Sequence, residues 1–88
     1  MIVTALDKNK QRISVDSFFA KHIEFSYNTK MVEQTTRILK MLLRHPDSIG
    51  ELADKVGEQY TFSVFGARRT YTIVFTTTDQ SIVLTDIW

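Results

Sequence analysis

The stretch Gln59–Trp88 constrains the fold more than any other part of the chain. Tyr60, Phe62 and Val64 alternate with Thr61 and Ser63. Tyr71, Ile73 and Phe75 alternate with Thr70, Thr72, Val74 and Thr76, and Ile82 and Leu84 share a face opposite Val83, Thr85 and Ile87. Period-two alternation of β-branched and aromatic residues is the mark of strands with one buried face. The separators Gly66-Ala67 and Asp79-Gln80 are short enough to join neighbouring strands as hairpins. The stretch therefore predicts a three-stranded antiparallel meander with about Arg69–Thr77 in the middle. Its apolar face must be covered by what precedes it, so the predicted class is α+β, with an N-terminal strand and helices packed on the meander.

A chain of 88 residues is the size of one domain with a modest core. Three glycines and one proline leave no room for a long linker. No apolar run reaches membrane-spanning length, and Lys40–Arg44 interrupts the best candidate, so no membrane partner is expected. Asp7, Lys8 and Lys10 follow the first apolar residues too soon for a signal peptide. The absence of cysteine excludes disulfides and thiolate chemistry and agrees with a cytoplasmic location. A net charge of +1 requires any nucleic-acid contact to come from a local basic patch.

Ile2–Leu6 reads as a strand, Asp7–Lys10 as a polar turn, and Gln11–Val15 as a returning strand. Asp16 is placed to cap a helix over about Ser17–Phe25, in which Phe18, Phe19, His22 and Ile23 recur at helical spacing. Ile23, Phe25 and Tyr27 also alternate with Glu24 and Ser26 as a strand would. Lys30–Arg44 is the clearest helix. Met31, Val32, Ile38, Leu39, Leu42 and Leu43 fall within an arc of roughly 140° with Thr35 inside it, wide enough to face a core. Pro46 stops that helix. Ser48-Ile49-Gly50-Glu51 has the form of a capping box, Ile49, Leu52, Ala53 and Val56 follow at helical spacing, and Gly57 supplies a left-handed stop.

His22 and His45 are the side chains that titrate near neutrality unaided, and neither has companions at metal-ligand spacing. No phosphate-cradling glycine loop or nucleophile elbow occurs, so neither a metal nor a cofactor is expected. Arg68-Arg69, at the mouth of the middle strand, is the adjacent cationic pair of the sheet region. With Tyr71 beside them and Lys40 and Arg44 in support, the two guanidiniums are suited to phosphate and the aromatic to a base. The bland reading of the same pair is a solvated hairpin tip.

The order of elements resembles the small bacterial toxins of the RelE/ParE superfamily. The likeness spans about Met31–Trp88 and rests on LLRHPDSIGEL (Leu42–Leu52), TFSVFGARRTYTIVF (Thr61–Phe75) and DQSIVLTDIW (Asp79–Trp88). It implies a cytoplasmic toxin neutralised by an antitoxin, either cleaving messenger RNA on the ribosome or acting on DNA gyrase. The chain departs from the pattern in three places. The family's middle-strand arginine falls on or near Thr72, Asp86 stands where a basic residue is common, and Trp88 ends the chain without the usual catalytic tail.

Two functions fit these residues. In the first, a growth-inhibiting endoribonuclease binds RNA through Lys40, Arg44, Arg68, Arg69 and Tyr71, with His45 moving the proton that cleavage at a 2′-hydroxyl requires and Arg68 and Arg69 on the phosphate. In the second, a non-catalytic inhibitor encoded by a phage or plasmid docks a protein partner through the same sheet.

Overall fold

The computed structural model describes residues 2–79 and 81–88, so Met1 and the Gln80 half of the expected Asp79-Gln80 turn lie outside the described residues. The strands are β1 (Ile2–Leu6), β2 (Arg12–Ile13), β3 (Asp54–Val56), β4 (Gln59–Phe65), β5 (Thr70–Thr78) and β6 (Ser81–Ile87). Between β2 and β3 lie α1 (Val15–Ala20), α2 (Ile23–Ser26), α3 (Thr29–Arg44), a 3-10 turn (Pro46–Ser48) and α4 (Ile49–Leu52). The class is α+β, as predicted, but the sheet is larger than a meander. It has six strands in the order β2-β1-β6-β5-β4-β3. β1 runs parallel to β6 and the other pairs are antiparallel, so the sheet is mixed. A parallel partner needs a crossover, and the helices supply it.

The helical layer covers one face. Phe62, Val64, Tyr71, Ile73, Phe75, Ile82, Leu84 and Ile87 from the strands meet Phe18, Phe19, Phe25, Met31, Leu39 and Leu42 from the helices in one buried cluster. Phe25 links the layers, with its ring 5.3 Å from Phe19 and edge-on to Tyr71 at 5.5 Å. On α3 the predicted arc is the packed one: Met31, Leu39 and Leu42 are buried, and buried Thr35 returns its hydroxyl to the Met31 carbonyl at 2.8 Å.

Several local expectations are corrected. The first helix is capped by Ser14, whose Oγ accepts from the Ser17 amide, and not by Asp16. Ser14 stops the returning strand at Ile13, so Val15 begins a helix. The Ser17–Phe25 helix breaks at Lys21-His22 into α1 and α2, which lets both Phe19 and Phe25 turn inward. Ser48 makes no side-chain cap, and α4 ends at Leu52 instead of reaching Gly57. Asp54–Val56 leaves as β3 and pairs with Gln59–Thr61, so Gly57, at φ +63°, is the left-handed residue of a hairpin turn. Lys55 gains from this pairing, with its ammonium 5.9 Å from the Tyr60 ring centroid.

The tip joining β4 to β5 is held against α3. A Cβ added at Gly66 would lie 2.7 Å from Met31 Sδ and 3.0 Å from the Arg69 carbonyl oxygen. The methionine can swing aside but the carbonyl closes the turn, accepting from the Gly66 amide at 2.9 Å. Gly66→Ala is expected to cost about 1–3 kcal/mol. A thermal melt checks this, and an unchanged midpoint would mean that the tip is not packed on the helix.

Candidate functional site

The residues singled out in the sequence fall at two ends of α3. Met31 touches Gly66, which places Arg68 and Arg69 beside the first turn of the helix. Lys40 and Arg44 are exposed on its later turns, and exposed His45 is its C-terminal cap residue. At about 1.5 Å per residue, Arg44 stands roughly 20 Å along the axis from Met31. The structure therefore keeps Arg68 and Arg69 together and separates them from Lys40, Arg44 and His45.

Tyr71 plays a different part from the one its type suggested. Its ring is buried in the face under the helices, and its hydroxyl donates to Glu24 Oε2 at 2.9 Å. The Arg69 guanidinium lies 4.0 Å from the ring centroid, a close cation–π contact. A ring so enclosed has no face to offer a base. Glu24, Asn28, Met31, Arg68 and Tyr71 line a small cavity of about 240 Å³ at this corner. His22 is half-buried at the α1–α2 junction. Among the described residues no group of three or more His, Asp or Glu side chains is placed to hold a metal. No helix among them is long and apolar enough to cross a membrane.

Of the exposed aromatic residues, Tyr27 caps α2 in the helical layer, and the other two lie on the other side of the sheet. Phe65 is 72% exposed and Trp88 is 60% exposed. Phe65 pairs with Thr70, and Trp88 exchanges backbone hydrogen bonds with Thr72, so both rings stand at the Arg68-Arg69 end of the uncovered face. One strand, β5, lies between them, so they stand two strand spacings or about 10 Å apart across the sheet, with Thr70 and Thr72 between. Set against known proteins, the chain matches no family model, no curated relative and no solved structure.

The whole uncovered face repeats that chemistry. From the pairing registers this side carries Ile2, Thr4 and Leu6 on β1, Val83 and Thr85 on β6, Thr72, Thr76 and the buried Val74 on β5, and Thr61, Ser63 and Phe65 on β4. Asp86 is the one charged side chain of these four strands on that side, although the chain carries 11 Lys and Arg and 10 Asp and Glu. Alternation signalled this face in β4 and β5. The side on which Trp88 stands was hidden, because it depends on an irregularity in β6 (Ser81–Ile87) that alternation does not reveal.

Proposed function

We propose that this chain is a small protein-binding inhibitor, and that its docking surface is the uncovered face of the sheet. The observation that carries the reading is the near absence of charge across four adjacent strands, with two exposed aromatics, Phe65 and Trp88, at one end. Interface cores are depleted in charge and enriched in aromatics and Arg. The partner is accordingly a protein with a charge-poor, apolar surface, whether a host target or an antitoxin of the kind the RelE/ParE resemblance implies. An RNA strand crossing the same face would find no Lys or Arg on the four strands it crosses, the cations lying only beyond the ends of those strands, whereas phosphates need them along their path. The endoribonuclease reading further asks His45 and Arg68-Arg69 to meet one phosphodiester from opposite ends of α3. Docking is the reading favoured.

Two buried hot-spot aromatics contribute about 2 kcal/mol or more each. Phe65→Lys with Trp88→Lys is therefore expected to weaken partner binding by roughly a thousandfold while the protein stays folded. A photo-crosslinker at position 65 in expressing cells identifies the partner, and titration of that partner with wild type and variant gives the affinities. Equal affinities would remove the sheet face from the interface. A crosslink abolished by ribonuclease would return the assignment to RNA.

A further inference from the structure

The C-terminal ends of the parallel pair β1 and β6 open onto a second feature, a groove of about 810 Å³ that curls around the end of the sheet. Phe18 and Ile87 supply apolar lining, and the exposed Trp88 indole forms one wall. Lys8 and Lys10 reach it from the β1–β2 turn, and Lys21 and His22 from the α1–α2 junction. Pockets of this size take small organic ligands. We infer that this groove binds a nucleoside phosphate, with the base against Trp88 and the phosphate held by Lys8, Lys10 and Lys21.

Three observations support the assignment. First, the turn that carries two of the lysines is fixed in place. Asp7 Oδ1 accepts from the Asn9 amide at 2.8 Å and the Gln11 amide at 2.9 Å, and the Lys10 amide donates to the Asp7 carbonyl at 2.9 Å. Second, Lys10 holds φ +63°, the one left-handed non-glycine residue among those described. Glycine or asparagine fills that conformation at lower cost, and backbone strain of this kind gathers at ligand sites. Third, the charge distribution selects the ligand. Asp7 is occupied within its own turn, and Asp86 Oδ1 accepts from the Ile87 amide at 2.9 Å. Asp86 repels a phosphate but accepts from a sugar hydroxyl, as an acidic residue does for a nucleotide ribose. Lysines, a carboxylate and an indole lining one groove match the phosphate, sugar and base of one molecule. Phosphate alone would leave the indole and Asp86 without a role.

Trp88 is the only tryptophan, so its fluorescence reports occupancy directly. Titration of the full chain with AMP is expected to quench it saturably, and titration with inorganic phosphate is not. Lys8→Ala with Lys21→Ala should weaken the AMP midpoint about tenfold or more. Lys10→Gly should also weaken it, yet leave the melting temperature equal or higher, which a merely structural lysine would not do. A short adenylate oligomer provides the second arm. Tighter binding of the oligomer than of AMP assigns the site to a nucleic-acid end, and equal binding to free nucleotide. No quenching by either up to millimolar concentration, or quenching unchanged in both lysine variants, would overturn the inference. Phe65 lies outside the groove and Lys8 and Lys21 lie off the strands, so Phe65→Lys alone tests docking while the lysine variants test the groove.

Discussion

Phe75→Ala is expected to lower stability by about 3–5 kcal/mol, the range for truncating a fully buried aromatic. Phe75 is 0% exposed on β5, whose two neighbours β4 and β6 make it a central strand. Its ring stacks on Tyr60 at 5.4 Å and meets Phe62 at 5.9 Å, so its removal leaves partners on two sides of a cavity. Aromatic pairs add about 0.5–1.5 kcal/mol beyond the area they bury. A domain of this size holds only about 5–10 kcal/mol in total, so the variant should sit near its unfolding midpoint at ordinary temperature. Urea titration measures the difference, with Thr76→Ala, one residue along on the open face, as a near-neutral control. A Phe75→Ala midpoint equal to that of the control would place Phe75 outside the core.

What could be read from the sequence follows from how each signal arises. Strand alternation in β4 and β5 and the helical arc on α3 are set by one buried face, and the structure reproduces both. The sheet's full width was not legible. β2 and β3 are two and three residues long and are specified by partners across the sheet, not by their own pattern. β3 shows why: Asp54-Lys55-Val56 is exposed throughout, and Val56 continued the helical spacing of Ile49 and Leu52 until pairing with Gln59 overrode it. The candidate site failed in a different way. Arg68, Arg69 and Tyr71 are close in sequence, but Tyr71 has the inward parity of Ile73 and Phe75, so the aromatic expected to face a ligand faces the helices. Residue type suggested His45 as a proton carrier, yet only the placement of α3 shows which end of the sheet it approaches. The groove at Lys8, Lys21 and Trp88 gathers three distant segments, and no local spacing announces it.

The bulge in β6 leads to the second large effect, which separates pattern from structure at a single residue. Strict alternation from Leu84 would turn Asp86 inward and Ile87 outward. Instead, the register shifts so that Phe75 faces Leu84 and Val74 faces Asp86, with Thr85 as the extra residue donating its hydroxyl to the Val74 carbonyl at 3.2 Å. An extra residue on one strand is the defining feature of a β-bulge. Burying an uncompensated carboxylate costs several kcal/mol, whereas burying isoleucine is favourable by about 2 kcal/mol, so both terms favour the bulge. Ile87 accordingly pairs with Ile73 and is 2% exposed. Ile87→Asp is expected to cost roughly 4–5 kcal/mol or more, since it loses the apolar contact and places an acid in the core. Ile87→Val should cost only about 1 kcal/mol. If alternation held, the aspartate would point to solvent and both variants would melt with the wild type. Circular-dichroism melts decide the matter: an Ile87→Asp protein that unfolds cooperatively near the wild-type temperature would mean that β6 has no bulge, and Trp88 would then turn inward and leave both the docking face and the groove.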